Sequence, residues 1–144
     1  TGWRLGWSVW PNKIIEFANK LCVNDHSCPS SISQFAGLEA LKGPQDEVEK
    51  IINEFEKRKN YVHKELNKLN NISCFLPGGA FYAFPNISKT KMTGKQFADI
   101  ALNKFGVALV SGNSFGDSAD NFVRISYANS MENIEEAIYR LSKI

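Results

Sequence analysis

The spacing of apolar residues in the first 45 positions predicts a strand followed by two helices. Residues 6–10 form an apolar and aromatic run that stops at Pro11 and Asn12, which is typical of a strand and a turn. Helical spacing follows at Ile14, Ile15, Ala18 and Leu21. Ser31 and Gln34 fit a capping box, in which each side chain satisfies a free backbone N–H at a helix start. The segment therefore predicts strand, turn, helix and a second helix.

A long amphipathic helix is predicted over residues 45–70. Gly43 suits the left-handed residue after one helix, and Pro44 suits the first turn of the next. The apolar face would consist of Val48, Ile51, Ile52, Phe55, Val62, Leu66 and Leu69. About 25 residues at 1.5 Å each would span roughly 37 Å. A helix of that length in so small a chain suggests a strut between two lobes.

The residues after 70 alternate between short apolar runs and helical patterns. Residues 72–76 and 80–85 flank a Pro-Gly-Gly sequence, which predicts two extended pieces joined by a glycine turn. Thr93 and Gln96 form a second capping box, and Gly106 would end the helix that they begin.

Two further strands and one helix complete this half of the chain. The apolar runs at residues 107–110 and 121–127 predict the strands, and Ser130 with Glu132 predicts the start of the final helix. Residues 71–144 are thus expected to form a self-contained α+β unit, with a domain boundary near residue 45.

Composition excludes several classes of protein. The chain has 144 residues, 43% of them hydrophobic, which allows one compact domain or a small domain with part of a neighbour. A net charge of +2 with interleaved lysine and glutamate argues against nucleic acid as a partner. No apolar run approaches the ~20 residues that cross a bilayer, so no membrane partner is predicted.

Cysteine and histidine usage predicts neither disulfides nor a metal site. Three cysteines without a paired motif favour a reducing compartment, so the cytoplasm is expected. Cys22, His26 and Cys28 are close in sequence, but a zinc site would need a fourth ligand and Cys74 is distant. With only two histidines in the chain, no Ser, His and acid constellation stands out.

Arginine is scarce, so the position of each one matters. Arg58 on the long helix and Arg140 in the last turn of the final helix are expected to be solvated surface residues. Arg124 alternates with Val123 and Ile125, which places it on the opposite face of a strand. Its planar donors suit a carboxylate, as in an amino acid or oxo acid, although an ion pair with a nearby Asp or Glu is the alternative.

Arg4 lies in a glycine-rich opening and raises the same question. Thr1 and Gly2 offer a hydroxyl and a flexible backbone that suit a phosphate, while an interdomain salt bridge is the alternative. Together with Arg124 it suggests a cleft for two anionic groups. Residues 111–116 are glycine-rich, but they lack the lysine of a phosphate-binding P-loop and are expected to serve as a turn.

Four motifs in chain order resemble the class I and II aminotransferases, which are pyridoxal-phosphate enzymes of the aspartate aminotransferase fold. They are TGWRLGW at residues 1–7, SQ with AL at 33–34 and 40–41, PGGAFY at 77–82, and GNSFG with VRISYA at 112–116 and 123–128. In the family such motifs belong to the segment after the Schiff-base lysine, the next large-domain helix, the small-domain hairpin and the closing substrate-binding strand. The resemblance spans essentially the whole chain.

The resemblance implies a fold-type I transferase with α/β and α+β parts. Residues 1–44 would end the large cofactor-binding domain, residues 45–70 would form the interdomain helix, and residues 71–144 would form the small α+β domain. Arg4 would bind the phosphate of pyridoxal 5'-phosphate, and Arg124 would bind the substrate α-carboxylate. The whole protein would be a homodimeric transaminase of amino-acid metabolism, with aspartate and 2-oxoglutarate as the favoured substrates.

Departures from the family pattern shape these expectations. The opening without a methionine predicts part of a longer protein, and the Schiff-base lysine is expected just before Thr1, so the chain alone would carry no catalytic residue and would be inactive. Ser111 stands where the family often has proline. No arginine lies between Trp7 and Gly43, where some aspartate-specific members carry a second one.

Other substrates and functions stay open at this point. Aromatic or aliphatic amino acids are alternatives to aspartate, and a lyase of the same fold, such as a C–S lyase, could use the same two arginines. A non-catalytic module that binds a small carboxylate or a protein partner is an alternative of a different class.

Overall fold

The computed structural model describes residues 2–144 and divides them into two compact units. The boundary falls between Glu47 and Val48; residues 2–47 are called the first unit below, and residues 48–144 the second unit. Among the described residues, every helix is too short or too polar to cross a membrane.

The first unit contains the two predicted helices but lacks the predicted strand. Helix α1 spans Ile15–His26 and helix α2 spans Ser31–Lys42. Residues 6–10 have no regular secondary structure, so the strand predicted there is wrong. A strand needs a neighbour to pair its backbone groups, and among the described residues no segment pairs with this one.

The capping box predicted at Ser31 and Gln34 does not form. Helix α2 begins one residue earlier than a box would require, with Ser30 as its N-cap and no side-chain hydrogen bond at the cap. Gln34 donates instead to the Pro29 carbonyl at 3.0 Å. The residue three positions after the true N-cap is Ser33, and its hydroxyl donates to the Trp3 carbonyl at 3.2 Å.

Helix α3 is shorter than predicted and is packed at one end only. It spans Asp46–Leu66, which is 21 residues. Val62 and Leu66 are buried, whereas Val48, Ile51 and Ile52 nearer its start are exposed. The amphipathic pattern is therefore continuous in sequence, but only its second half meets a core within the second unit.

A three-stranded antiparallel sheet lies at the centre of the second unit. Its strands are β1 (Tyr82–Ala83), β2 (Val110–Ser111) and β3 (Val123–Ser126), in the order β1-β3-β2. Tyr82 pairs with Ser126, and Val110 pairs with Arg124. Strand β3 is therefore the central strand, and Arg124 lies on it.

The hairpin predicted around the Pro-Gly-Gly sequence is reduced to a single bridge, between Ser73 and Asn86. Cys74, the residue after Ser73, bonds to the side chain of Asn67. The Asn67 amide nitrogen donates to the Cys74 carbonyl at 2.8 Å, and the Cys74 N–H donates to the Asn67 amide oxygen at 3.0 Å. A side-chain amide therefore takes the place of a strand beside Cys74, while β1 pairs with β3.

Both predicted helix starts in the second unit are confirmed. Helix α4 spans Gly94–Phe105, and the Thr93 and Gln96 side chains form both hydrogen bonds of a capping box. Gly106 ends this helix with a φ of 66°, the left-handed conformation that glycine adopts without strain. Helix α5 spans Met131–Leu141, and the Ser130 hydroxyl accepts from the Asn133 N–H at its start. Short 3-10 turns lie at Ser88–Thr90, Gly112–Phe115 and Asp117–Ala119.

The buried apolar side chains of the described residues all belong to the second unit. They are Val62, Leu66, Ile72, Cys74, Ala83, Ile87, Phe97, Ala101, Val107, Val123, Tyr127, Ile134, Ile138 and Leu141. They come from α3, α4, α5, the sheet and the irregular segments next to these elements. The central strand is thus held from one face by a packed core, which leaves its other face for Arg124.

Candidate functional site

Strand β3 presents Arg124 on the face that points away from the core. Val123 and Tyr127 are fully buried, whereas Arg124 is half-buried and Ser126 is exposed. This arrangement confirms the alternation predicted from the sequence, because successive side chains of a strand point to opposite faces. Packing against the core fixes the position of the strand, and the strand fixes the position of the Arg124 backbone.

Two aromatic rings contact the guanidinium of Arg124. Its central carbon lies 4.4 Å from the centre of the Tyr82 ring and 5.0 Å from the centre of the Phe115 ring. Both distances are within the range of cation–π attraction. These rings were not singled out as partners from the sequence. The only signal was their presence in two of the motifs that also carry the family resemblance.

The ion pair considered as an alternative for Arg124 is not formed within residues 2–144. The contacts of its guanidinium in this part of the chain are the two aromatic ones, with neither a hydrogen bond nor a carboxylate within 4 Å. A half-buried arginine whose donors have no acceptor among these residues can bind an incoming anion bidentately.

The segment after β2 brings Phe115 to Arg124. It forms the 3-10 turn Gly112–Phe115, and Gly116 follows with a φ of 138° that side chains rarely tolerate. Phe115 meets Phe84 edge-on, with ring centres 5.8 Å apart, and Phe84 stacks on Phe122 at 5.1 Å. The turn expected at residues 111–116 is therefore present, and it delivers an aromatic ring to the candidate site.

Arg4 lies in the first unit with an unusual backbone conformation. Its φ is 54°, in the left-handed region that costs a residue with a side chain about 1 kcal/mol or more. The preceding residue, Trp3, is held in place because its carbonyl accepts a hydrogen bond from the Ser33 hydroxyl. After it, Leu5 packs against Gly37 of α2 so closely that any Cβ at that glycine would overlap the Leu5 side chain.

The side chain of Arg4 is exposed, and among residues 2–144 it has neither a hydrogen bond nor an ion pair. Thr1, the hydroxyl residue predicted to assist it, lies outside the described residues. Arg4 belongs to the first unit and Arg124 to the second. Their convergence on one ligand therefore stays a prediction.

The other two arginines are engaged with neighbouring groups. Arg140 pairs with Glu136 at 2.7 Å and donates to the Phe105 carbonyl at 3.1 Å, which joins α5 to the end of α4. Arg58 pairs with Glu54 at 3.0 Å. Its side chain is only 20% exposed, so the solvated surface position expected for it is wrong. It lies over the ring of Phe55, with 5.4 Å between its central carbon and the ring centre.

Two buried groups on the core side have shifted pKa values. Burial raises the pKa of the Tyr127 hydroxyl, with a further contribution from Cys74, and this hydroxyl donates to the Ala80 carbonyl at 3.0 Å. Burial also raises the pKa of the Cys74 thiol. Both groups therefore stay protonated at neutral pH. They belong to the core and not to the sheet face that carries Arg124.

Arg124 lines neither of two cavities of the second unit. A cavity of about 330 Å³ is bounded mainly by β3, α5 and the residues before β2, among them Val107, Leu109 and Ile134. Cys22 and Cys28 are exposed. Within residues 2–144 no three His, Cys, Asp or Glu side chains are grouped as metal ligands.

Comparison with known proteins gives a consistent result. The family description "aminotransferase class I and II" matches residues 1–141. The chain is 39% identical over 143 residues to a putative aminotransferase, YugH, of Bacillus subtilis, covering 99% of this chain and 37% of that protein. It is 38% identical over 146 residues to an aspartate aminotransferase of Pyrococcus abyssi, covering 100% of this chain and 37% of that protein.

A solved structure agrees with these sequence matches. The structure of an aromatic aminotransferase from Pyrococcus horikoshii superposes with a TM-score of 0.90 at 39% identity, covering 99% of this chain and 38% of the other. The chain thus spans little more than a third of the length of the proteins that it matches.

Proposed function

We propose a function from the premise that this chain belongs to the class I and II aminotransferase family, as the match over residues 1–141 shows. Its fold is a mixed helix-and-sheet portion of a fold-type I enzyme, because it superposes on the corresponding part of such structures. Since it spans about 37% of its relatives, the activity of the whole protein is the proposal.

The proposed activity is transfer of an amino group from an L-amino acid to a 2-oxo acid, with pyridoxal 5'-phosphate as cofactor. Aspartate and 2-oxoglutarate are the favoured substrates, and the whole protein would be a homodimer. Relatives named as aspartate aminotransferases from Pyrococcus and Geobacillus, at 38–39% identity, support the aspartate preference. A relative named as an aromatic-amino-acid aminotransferase, at 36% identity, keeps aromatic donors as the competing choice.

The domain roles follow the same proposal. Residues 1–44 would close the large cofactor-binding domain, residues 45–70 would be the interdomain helix, and residues 71–144 would be the small domain. The α+β content of the second unit supports this division.

Arg124 carries the proposal, since its half-buried guanidinium has no acceptor among the described residues. It would bind the substrate α-carboxylate through two parallel N–H···O bonds. A carboxylate held at two points cannot rotate, so the α-carbon of the substrate would be oriented as well as bound.

Arg4 suits the phosphate of the cofactor. It is an exposed cation without a partner in the described chain, its backbone is held in a left-handed turn, and Gly2 before it has open space around its Cα. When bound, this cofactor would supply an electron sink that lets the substrate lose its α-proton. Arg4 itself would contribute charge and position, not a proton.

Two variants of the full-length protein test these roles. Arg124→Lys should raise KM for both the amino acid and the 2-oxo acid by at least about 30-fold. A single ammonium group would replace the planar guanidinium that binds the substrate carboxylate at two points. Arg4→Ala should chiefly lower the amount of cofactor retained after gel filtration, measured by absorbance. Arg140→Lys is the matched control, because this arginine already bonds to Glu136 and Phe105.

Unchanged kinetics and cofactor content in both variants would contradict the two assignments. If the wild-type protein binds carboxylates through Arg124 but transfers no amino group, the non-catalytic binding module is supported instead. Sedimentation of the full-length protein as a monomer would contradict the proposed dimer.

A further inference from the structure

The Arg124 guanidinium is held by aromatic rings where an arginine at this depth would usually pair with an acid. Tyr82 approaches it from strand β1 and Phe115 from the turn after β2, at 4.4 and 5.0 Å from their ring centres. Strands β1 and β2 flank β3 in the sheet, so the two contacts come from segments on opposite sides of the central strand. They hold the cation without supplying an opposite charge.

The register of the sheet explains why Tyr82 reaches the guanidinium. Tyr82 pairs with Ser126, which is two residues beyond Arg124 on β3. Tyr82 and Arg124 are therefore diagonal neighbours on one face, a separation that long and aromatic side chains can bridge. The contact is built into the strand pairing, so it is present before any ligand arrives.

Phe115 is supported from behind by two other rings. Phe84 meets it edge-on, and Phe84 is itself stacked on Phe122 with an angle of 5° between the planes. Aromatic pairs at these separations favour offset-stacked or edge-on arrangements and contribute stabilisation beyond the area that they bury. Phe115 is thus positioned by the same sheet face that carries the arginine.

We infer that Tyr82 and Phe115 are positioning residues that hold the Arg124 guanidinium ready for a substrate carboxylate, an inference that rests on the proposed function of Arg124. The negative faces of the rings attract the cation but leave its N–H groups without a fixed acceptor. A counter-ion such as aspartate would occupy those N–H groups and would compete with the substrate. The aromatic contacts therefore reduce the freedom of the side chain while keeping its charge and donors available.

The test uses the full-length protein and two inert probes. Succinate and 3-phenylpropionate carry carboxylates but neither an amino nor an oxo group, so calorimetry measures binding without turnover. Tyr82→Leu and Phe115→Leu should each weaken binding of both probes about 3-fold to 30-fold, the range expected for one cation–π contact. In steady-state assays, KM for amino acid and oxo acid should rise while kcat changes less.

Conservative variants separate the aromatic contact from simple packing. Tyr82→Phe and Phe115→Tyr keep a ring over the guanidinium and should bind the probes within about 2-fold of wild type. Replacing Phe115 by pentafluorophenylalanine keeps the shape but reverses the charge pattern of the ring, so it should weaken binding as leucine does. This variant also covers the case in which a leucine variant fails to fold.

Tyr139→Leu is the matched control, because Tyr139 makes the same type of contact with Lys143 on the exposed side of α5. It should leave probe binding unchanged. If Arg124→Lys abolishes probe binding while the leucine and fluorinated variants bind as wild type, the positioning role is overturned and the carboxylate role of Arg124 stands. If Arg124→Lys itself leaves probe binding unchanged, the proposed function fails and this inference fails with it.

Discussion

The two units of this chain use their apolar residues in opposite ways. In the second unit, side chains from Val62 to Leu141 form a closed core around the sheet. In the first unit, the buried residue among the described positions is Ser33, while Trp3, Trp7 and Phe35 are exposed. Both units carry helices, so the presence of helices alone does not distinguish them.

This contrast separates local from tertiary stabilisation. Helices α1 and α2 have apolar residues at helical spacing, but neither has a side-chain hydrogen bond at its N-cap, and most of these apolar side chains are exposed. Most of the stability of a short helix comes from the packing of its apolar face. The first unit is therefore expected to depend on surfaces beyond its own residues, and the second unit is not.

The largest test of this contrast is dissection of the chain. Residues 48–144 expressed alone should give a monomer with a cooperative thermal transition, whereas residues 2–47 alone should show none by circular dichroism. The intact chain of residues 1–144 should self-associate through its exposed apolar side chains, as measured by sedimentation. A sharp, monomeric, two-state melt of residues 1–144 would contradict the contrast.

A pair of phenylalanines gives the next largest effect. Phe97 on α4 is 1% exposed and Phe35 on α2 is 76% exposed. In the 144-residue chain, Phe97→Ala should lower the free energy of unfolding by about 3–5 kcal/mol, measured by urea titration. Phe35→Ala should change it by less than about 0.5 kcal/mol. If Phe35→Ala lowers the free energy of unfolding strongly in the full-length protein but not in the 144-residue chain, other residues cover this face in the full-length protein.

The two capping boxes offer a smaller and sharper comparison. Thr93→Ala should cost about 0.5–2 kcal/mol, because its hydroxyl accepts from the Gln96 N–H at the start of α4. Ser31→Ala should cost almost nothing, because Ser31 lies inside α2 and caps no backbone group. Equal costs for the two substitutions in urea titrations would mean that the box at Ser31 and Gln34 forms in solution after all.

The smallest expected effect is confined to alkaline pH. Burial raises the pKa of the Cys74 thiol above its ordinary value of 9.0, so the folded chain holds this proton more tightly than the unfolded chain does. The resulting stabilisation is complete below pH 9 and is lost as the pH rises through the folded-state value. Cys74→Ala should therefore flatten the fall in stability that begins above pH 9, in melts recorded at stepwise pH. Cys22→Ala, at an exposed position, is the control.

Sequence reasoning predicted the helices and the arginine face well because these depend on local periodicity. Alternation along residues 123–127 placed Arg124 opposite the core, and the cap at Thr93 gave the start of α4. The family resemblance is confirmed by the match over residues 1–141. The roles of Arg4 and Arg124 stay predictions.

The elements that were missed depend on contacts between distant residues. Residues 6–10 resemble a strand but have no partner in the described chain, and the box at Ser31 does not form because α2 begins one residue earlier. The rings of Tyr82 and Phe115 reach Arg124 only through the strand register and the turn after β2. A single sequence does not specify such a register.

The amide of Asn67 limits which backbone groups near Cys74 are free to pair with another strand. Its side chain hydrogen-bonds to the N–H and the carbonyl of Cys74 on one edge of this segment. On the other edge, the backbone of Ser73 bonds to the backbone of Asn86. The segment is followed by Phe75, which is 93% exposed, so its free edge would otherwise be an apolar template for strands of other molecules. Among residues 2–144 no strand covers this edge, so the Asn67 side chain, directly after α3, is what makes it a poorer template for strands of other molecules.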